Sequence, residues 1–423
     1  MTGIALFEDS QWQSFSPIAL TRAIFDIKVG ARSFFEEHRE SPEILLTREY
    51  LAGITLERHS QCKVNPGSID DDTIFVNGLL HPGAVSIQQL SGLKGTFAIT
   101  SKNRLLVARL EGKAIDYVKD RVAAGKRIDI KRLNVDKSTE LGLENAQGIL
   151  SELWDIINLL ENSLSLQISE MGRRNEEATP PGLKTIGSGS VLLEHDAVVE
   201  DGAVFDTRNG GIYVGPGAQI APCRIVGPAY IGGSTQIKQF ATIESTYVGY
   251  NCRVAGEIEH SVISDHSNKA HAGFIGHSYV GEWVNIGAMT TTSDLKMTYG
   301  NIKMSGAGGR TADTGLNKVG SFFADMCKTS VGALVYSGRR IGVSSHVHGL
   351  ATMDVPSFTI YGAGIGSKNA ELHLDSAIET QRKMMSRRNQ RMTKQYEQMM
   401  REVFSITAAE RRRGGVRKSR FSI

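Results

Sequence analysis

The sequence predicts an α/β domain at the N-terminus, followed by an all-β parallel β-helix of hexapeptide repeats and a C-terminal α-helix. The 423 residues are too many for one ordinary core, so two domains are expected. Short apolar runs alternate with helical patterns in the first part of the chain, whereas aliphatic residues recur every six positions from residue 183. This change of period predicts a change of architecture near the middle of the chain.

Residues 1–145 are predicted to form the α/β domain. Strand-like runs alternate there with amphipathic helical patterns, which is typical of a sheet covered by helices. The strand-like runs are GIALFE, EILLT, TIFVNGLL and TFAIT, and the helical patterns are RSFFEEH and AIDYVKDRVAAG.

Residues 146–182 are predicted to be a helical connector. Apolar residues recur there at helical spacing until prolines interrupt the pattern. The apolar positions are Ile149, Leu153, Ile156, Ile157 and Leu160, and the interruption is NEEATPPG.

Residues 183–368 are predicted to form the β-helix. Each short strand of such a solenoid turns an aliphatic residue inward, small residues occupy the corners, and stacked coils share one core. The aliphatic residues in question are Ile186, Leu192, Val198, Val204, Val214, Ile220, Ile231, Ile237, Ile243, Val248, Val254, Val280 and Ile286. The alternative, a glycine-rich β-sandwich, would show a period of two, with turns about every 8–12 residues.

Two segments interrupt the hexapeptide spacing, a short one at 205–213 and a long one at 290–320. Long loops on a solenoid commonly carry binding functions, so the second is of interest for function.

Residues 369–423 are predicted to contain a C-terminal helix and a basic tail. Residues 375–404 lack proline and glycine and are rich in helix formers, so they should form one long helix. The final RRRGGVRKSRFSI is basic, but aromatic residues do not alternate with its charges, so a solvated tail is favoured over a nucleic-acid-binding arm.

Composition excludes several classes of protein. The formal net charge of +3 is too small to indicate nucleic-acid binding. The four cysteines, Cys62, Cys223, Cys252 and Cys327, are widely spaced, which argues against a zinc ribbon or a disulfide framework. The N-terminus lacks the pattern of a signal peptide, and no stretch is long and apolar enough for a membrane span. We therefore expect a cytoplasmic protein with reduced thiols and no membrane partner.

Residues 183–365 resemble the left-handed β-helix acyltransferases. The order of the two domains resembles the bifunctional N-acetylglucosamine-1-phosphate uridyltransferase/glucosamine-1-phosphate acetyltransferase family and its sugar nucleotidyltransferase relatives. The resemblance is carried by the run from GEIEHSVISDHSNKAHAGFIGHSYVGEWVNIGA to TTTSDLKMTYG. It implies a nucleotidyltransferase-like N-terminal domain, a left-handed β-helix, and a homotrimer with sites between neighbouring subunits.

The resemblance also implies an acyl-transfer site. His271 lies at the distance before Gly276 that the family's catalytic histidine keeps, which suggests that it is the general base. The substrate-binding positions would be Asn268, Lys269, Asn285 and Lys296, and the backbone at Gly287 and Ala288 would approach coenzyme A. Two family residues are replaced, because Phe274 stands for a tyrosine and Asp294 for an asparagine. The acyl donor or acceptor could therefore differ from the family's.

These residue types suit the reaction. An amine that attacks a thioester must lose a proton, which a neutral imidazole can accept near neutral pH. Glycine-rich corners leave backbone N–H groups accessible to a developing oxyanion, and lysines can hold a phosphate. Alternatively, His271 and His277 stack in a ladder on the surface of the solenoid. A metal site is not expected, because no carboxylate recurs in register with the histidines.

The N-terminal half resembles the nucleotidyltransferases less closely. PIALTR echoes part of the family's nucleotide loop, so nucleotide binding is expected at Thr21, Arg22, Asn77 and Gly78. No glycine lies between Gly3 and Gly30, and Leu79 replaces the aspartate that binds Mg²⁺ in the family. Mg²⁺ could still be used, but without its usual ligand. Two readings stay open, a divergent nucleotidyltransferase and a non-catalytic domain that binds a nucleotide sugar or supports assembly.

Together these features predict a transferase of sugar-nucleotide metabolism. Its β-helix would transfer an acyl group from acetyl-CoA or another acyl-CoA to an amino-sugar phosphate, with His271 as base. A sugar phosphate or nucleotide would be its small-molecule partner. The alternative is a non-catalytic, oligomeric scaffold or sensor that binds sugar nucleotides.

Overall fold

The computed structural model of the protein describes residues 3–38, 42–80, 94–140, 148–174, 183–306 and 311–421. The chain divides into two compact units, Met1–Asp155 with Thr393–Met399, and Ile156–Met392 with Met400–Ile423. The predicted fold class is confirmed, because a nucleotidyltransferase-like α/β unit is followed by a parallel β-helix and C-terminal helices. None of the helices in the described ranges is long and apolar enough to cross a membrane.

The first unit is built on a mixed sheet with strand order β5-β4-β1-β6-β8-β7-β9. Its strands, together with the separate β2–β3 hairpin, are β1 Ile4–Phe7, β2 Lys28–Val29, β3 Arg32–Ser33, β4 Ile44–Leu46, β5 Lys63–Val64, β6 Ile74–Asn77, β7 Phe97–Ser101, β8 Arg104–Arg109 and β9 Lys137–Glu140. Its helices are α1 Phe34–Glu37, α2 Ala52–Arg58 and α3 Lys113–Ala123, with 3₁₀ turns at Ser10–Phe15, Ile18–Leu20, Ile24–Asp26, Glu49–Leu51 and Ile130–Arg132.

The central strands of this sheet are buried on both faces. In β1, Leu6 packs into the core on one side and Phe7 into the core on the other, and both side chains are 0 % exposed. Strand β1 pairs in parallel with β4 on one side and with β6 on the other. The connections therefore diverge at β1, where α/β sheets usually bind ligands beyond the carboxyl ends of the strands.

The second unit is the β-helix, in which each short strand pairs in parallel with its equivalent in the next coil. The first face contains Lys184–Ile186, Val204–Asp206, Arg224–Val226, Thr242–Glu244, Glu257–Glu259 and Phe274–Gly276, and a further sheet contains Thr291–Thr292, Leu334–Val335 and Leu350–Ala351. The second face contains Val191–Leu193, Ile212–Val214, Ala229–Ile231, Tyr247–Val248, Val262–Ile263, Tyr279–Val280, Phe322–Phe323 and Arg340–Ile341. The third face contains Val198–Val199, Gln219–Ile220, Gln236–Ile237, Arg253–Val254 and Asn268–Lys269, and then Lys328–Thr329, His346–Val347 and Thr359–Tyr361. Ala370–Glu371 pairs with the last of these strands in the antiparallel direction.

Aliphatic residues in register form the core of the solenoid. On the third face the inward column runs from Val199 through Ile220, Ile237 and Val254 to Lys269. The aliphatic residues predicted from Val214 to Ile286 are buried, at 2 % exposure or less. The hexapeptide spacing therefore identified the core positions of these coils.

The predicted core positions of the first coil are one residue out of register. Val198 is 54 % exposed and pairs with Gln219, and Val204 pairs with Arg224, while Phe205 beside it is 0 % exposed. Leu192 also faces away from the solenoid core, in register with Tyr213, but it is only 7 % exposed because its side chain packs near Gly172 of a flanking helix. Adjacent apolar residues fit two registers in the sequence, and pairing with the later coils selects one of them.

The flanking helices of this unit are α4 Asp155–Asn158 and α5 Leu160–Arg174. Residues 290–320 contain an antiparallel hairpin formed by Lys303–Ser305 and Thr311–Asp313. The single helix predicted for 375–404 is wrong, because α6 Leu374–Ser386 and α7 Lys394–Ile406 are separate, and α8 Ala408–Arg413 follows. The break is at Asn389, whose φ of 56° is left-handed, and Gln390 N donates to Met385 O in the manner of a helix C-cap.

Candidate active site

The outward positions of the third face form a polar column. Arg253 pairs with Asn268, and Asn285 bridges Asn268 and Lys328. His346 pairs with Lys328 in the following coil. Because neighbouring strands lie about 4.8 Å apart, these five side chains form one continuous row on the surface.

Helix α6 and the residues that follow it contribute the other wall of a groove of about 780 Å³ beside this column. Arg388 Nη2 donates to Asn268 Oδ1 at 2.5 Å and so ties the end of the helix to the third face. The residues that line the groove are Arg253, Asn268, Ala270, His271, Asn285, Ile286, Gly287, Ala288, Lys328, Thr329, Val331, Thr380, Lys383, Met384, Arg387 and Arg388.

His271 is exposed at the corner that follows the third face and lines this groove. The corner closes through Gly273, whose φ of 124° lies in the left-handed region. A Cβ at Gly273 would lie 2.2 Å from Thr290 O in the next coil, so only glycine fits. The sequence thus places the imidazole on a tight corner whose backbone has little freedom.

The next corner, at Gly287 and Ala288, forms the floor of the groove beside His271. A Cβ at Gly287 would lie 2.5 Å from Ser330 O, so this corner stacks closely on the coil below it. The Gly287 N–H donates to Thr329 Oγ1 at 2.8 Å. The amide of Gly287 is therefore already engaged, contrary to the expectation of an accessible donor at this glycine.

The groove is strongly cationic. It is lined by Arg253, Lys328, Lys383, Arg387 and Arg388, and none of the described residues that line it is a carboxylate. Burial lowers the pKa of Arg253, with repulsion from Arg388 as a second cause, and burial also lowers the pKa of Lys328 to about 8. Lys383 also has an acidic partner outside the lining, because its Nζ lies 3.6 Å from Glu379 Oε1. Cations clustered in this way provide favourable sites for phosphate or carboxylate groups.

Of the predicted acyl-transfer residues, His271, Asn268, Asn285, Gly287 and Ala288 are brought together in the groove. The two lysines lie elsewhere. Lys269 is 2 % exposed inside the solenoid, and Lys296 is in the long insert, where its ammonium donates to Asn301 O.

His277 lies at another corner of the solenoid and does not line the groove. Its ring stacks on His260 with centroids 4.8 Å apart and an angle of 2° between the planes. Its Nδ1 lies 2.7 Å from Asp294 Oδ2. The ladder alternative therefore describes His277, whereas His271 is in the groove.

The predicted nucleotide-binding residues are packed inside the first unit. Thr21 and Asn77 are 0 % exposed and Arg22 is 3 % exposed. A Cβ at Gly78 would lie 2.8 Å from Phe25 Cβ. As folded here, these four positions offer no open surface to a nucleotide.

A buried ion pair holds the segment around these residues. Arg48 Nε donates to Glu8 Oε1 at 2.8 Å, and Arg48 Nη2 donates to Ala19 O and Arg22 O at 2.7 and 2.8 Å. The indole of Trp12 covers the guanidinium at 4.2 Å. Among the described residues, side chains of the protein itself thus pack together just beyond the carboxyl end of β1.

Among the described residues, those at this edge do not fit a magnesium ion. Leu79, at the position of the family's aspartate, is apolar and 0 % exposed. The Glu8 carboxylate is occupied by Arg48, and Asp9 accepts from Gln11 N at 2.8 Å and from Asn77 Nδ2 at 3.2 Å. Burial raises the pKa of Asp9, which further disfavours an exposed anionic ligand for a metal.

Sequence reasoning missed the cations of the groove. Arg253 and Lys328 each precede an inward residue of the third face. The repeat therefore predicts that both side chains point outward from the same face, and this could have been inferred from the sequence. Arg387 and Arg388 gave no such signal, because only the tertiary structure places the end of α6 beside this column.

Comparison with known proteins supports the resemblance at family level. Residues 4–173 match the family described as Sugar nucleotidyl transferase. The Bifunctional protein GlmU of Azoarcus sp. is 29% identical over 124 residues, which are 25% of this chain and 27% of that protein. The Bifunctional sugar-1-phosphate nucleotidylyltransferase/acetyltransferase of Sulfurisphaera tokodaii is 26% identical over 163 residues, 38% of this chain and 35% of that protein. The chain thus spans about a third or less of the length of these relatives.

A solved structure, the UDP-N-acetylglucosamine acyltransferase of Francisella novicida, covers 54% of this chain and 77% of its own. It is 14% identical with a TM-score of 0.32, which is too low to support an argument about function.

Proposed function

We propose that this protein is a transferase of sugar-nucleotide metabolism whose β-helix moves an acyl group from an acyl-CoA to an amino-sugar phosphate. The observation that carries the proposal is the cationic groove, in which exposed His271 lies beside Asn268, Asn285 and the Gly287–Ala288 corner. The sugar-nucleotide context is supported by the family match and by the bifunctional relatives.

The chemistry assigned to His271 is general base catalysis. The amine nitrogen of the acceptor attacks the thioester carbonyl, the new C–N bond forms, and imidazole accepts the proton that the amine loses. The C–S bond then breaks, and the departing thiolate takes a proton, returning His271 to its neutral form. A base in this position typically contributes about 10²–10⁴ to the rate.

The cations of the groove support the binding of the phosphates of both substrates. Coenzyme A carries a pyrophosphate and a further phosphate, and the acceptor carries one of its own. Arg253 and Arg388 present guanidinium groups at one end of the polar column, and Lys328 lies farther along it. Arginine binds phosphate through paired N–H donors, whereas lysine provides a compact charge.

The test is an acyl-transfer assay with acetyl-CoA and amino-sugar phosphates. The His271→Gln variant should lose about 10²–10⁴ in kcat, because the amide cannot accept the proton. His195→Gln, an exposed histidine in the same unit, is the matched control and should retain the wild-type rate. Equal turnover by the His271→Gln variant would remove the mechanism.

We also propose that the β-helix assembles as a homotrimer with its sites between subunits. Met289 and Val331 are 61 % and 76 % exposed at the corners beside the groove, and apolar groups in such places favour burial by a neighbouring chain. Light scattering should give about three times the chain mass of 46.1 kDa. A monomer mass at micromolar concentration would contradict the assembly.

For the N-terminal unit, a second candidate function has specific support. Thr21 and Asn77 are fully buried and Leu79 replaces a carboxylate, which favours a non-catalytic role in binding or assembly over nucleotidyl transfer. Assays with nucleoside triphosphates and sugar 1-phosphates, with and without Mg²⁺, distinguish the two. Release of pyrophosphate that depends on the sugar phosphate would establish nucleotidyl transfer and exclude the non-catalytic role.

A further inference from the structure

A lysine lies inside the β-helix directly below the corner that carries His271. Lys269 occupies an inward position of the third face, in register with Val254 of the preceding coil, and is 2 % exposed. In the next coil the bridge between Asn268 and Asn285 brings Ile286 to the same column. Aliphatic residues thus lie on both sides of this charged residue.

The ammonium of Lys269 joins two successive corners. Its Nζ donates to Ala255 O at 3.2 Å and also to His271 O. Gly256, with a φ of 80°, leaves room for this contact, because a Cβ there would lie 3.0 Å from Nζ and 2.5 Å from Gly273 O. The ammonium therefore occupies a space that the backbone of both corners leaves open for it.

Packing alone does not account for a lysine at this position. An aliphatic side chain fills the column in the neighbouring coils, and a buried ammonium without a carboxylate is costly. Burial lowers the pKa of Lys269 to about 8, and no charged side chain contributes to this shift. The buried ammonium of Lys269 destabilises the fold and contacts the corner that carries His271, so it is more consistent with a functional role than with core formation.

We propose that Lys269 is a positioning residue whose ammonium holds the backbone of the His271 corner and so fixes the imidazole in the groove. This role rests on the proposed function of His271 and differs from substrate binding, because Lys269 does not line the groove. The buried ammonium restrains the carbonyl of His271 itself, so losing it should increase the mobility of the ring without removing the groove.

The test compares Lys269→Met with Ile237→Met, a matched change at a buried position of the same column that does not line the groove. Lys269→Met should lower kcat at least about tenfold while KM for acetyl-CoA changes less than about threefold, because an imprecisely held base impairs the chemical step. Ile237→Met should leave both constants within about twofold of wild type, since the two side chains are similar in volume and this position is outside the groove. A kcat within twofold of wild type in the Lys269→Met variant would overturn the proposal.

The pH profile is a readout that a merely structural role would not change. The ammonium donates to the carbonyls of Ala255 and His271, aliphatic residues lie on either side of Lys269 in the column, and burial is the cause of its lowered pKa. The wild-type kcat should fall above about pH 8, because the ammonium of Lys269 then loses its proton. This fall in kcat at high pH should be absent in Lys269→Met. Lys328 also has a pKa of about 8, but it is present in both proteins and so cannot account for the difference between their pH profiles.

Nitrogen-15 spectra of the imidazole of His271, assigned by their loss in His271→Gln, test the proposal without an activity assay. In the wild type, the chemical shifts of these signals plotted against pH should show an inflection near pH 8. The Lys328→Met variant should keep this inflection, and the Lys269→Met variant should lack it. Absence of the inflection in the wild type would overturn the proposal even if Lys269→Met failed to fold. If no acyl transfer is found in the wild type, the proposed function fails and the spectra alone decide the role of Lys269.

Discussion

His271 and Lys269 are two residues apart, yet the structure gives them opposite surroundings. His271 is exposed at a corner among cations, whereas Lys269 is enclosed by the coil and donates to backbone carbonyls. A strand places alternate side chains on opposite sides, and the corner turns the next ones outward. The neighbouring lysine in the motif therefore supports the corner from within the coil instead of reaching the groove.

Burial of Lys269 predicts a specific dependence of stability on pH. Its pKa is about 8 in the folded protein against 10.5 ordinarily, so between these values the unfolded chain binds more protons than the folded one. The free energy of unfolding should therefore rise with pH across this window, by about 3 kcal/mol from this group.

Urea denaturation at pH 7.5 and at pH 10.5 measures this effect in wild type and in Lys269→Met. The difference between the two proteins isolates Lys269, because other titrating groups are common to both. The wild type should gain about 3 kcal/mol more than the variant over this range. Equal changes in both proteins would show that Lys269 is not buried as a charged group.

At the scale of elements, the repeat made most of the β-helix predictable. From Val214 onward, one aliphatic residue per short strand identified the inward column, since each coil repeats the same constraint. The first coil could not be assigned in the same way, because apolar pairs such as Val204–Phe205 fit either register. Only the pairing with Arg224 and Ile225 settles which residue is inside.

This register gives a matched pair of substitutions. Phe205→Ala removes a fully buried ring and should lower the free energy of unfolding by about 3–5 kcal/mol. Val204→Ala removes an outward, partly exposed side chain and should cost less than about 1 kcal/mol. Denaturant titration of both variants measures the difference, and a larger loss for Val204→Ala would favour the register expected from sequence.

The candidate site was only partly predictable at this scale. A motif within one chain segment identified His271, Asn285 and the Gly287–Ala288 corner. The cations of α6 came from a distant segment, and no local pattern encodes which face of the solenoid that helix covers. The end of α6 at Asn389 was also missed, since asparagine in the left-handed conformation stops a helix without proline or glycine.

At the scale of the whole molecule, the two units offer different prospects for chemistry. The first unit has parallel strands on both sides of β1, but the Glu8–Arg48 pair and the Trp12 ring pack together just beyond the carboxyl end of this strand. The second unit has an open groove of about 780 Å³ in which no described lining residue is acidic. This contrast supports the proposal that the β-helix carries acyl transfer, and for the first unit it favours the proposed role in binding or support over nucleotidyl transfer.

The most direct test of this account is the affinity of the full chain for coenzyme A, measured by isothermal titration calorimetry. Arg388→Gln should weaken binding about tenfold or more, equivalent to about 1.4 kcal/mol, because it removes a guanidinium from the groove. Arg382→Gln, an exposed change on α6 that is outside the groove, should bind as the wild type does. Equal affinity in all three proteins would contradict the claim that this groove holds the acyl donor.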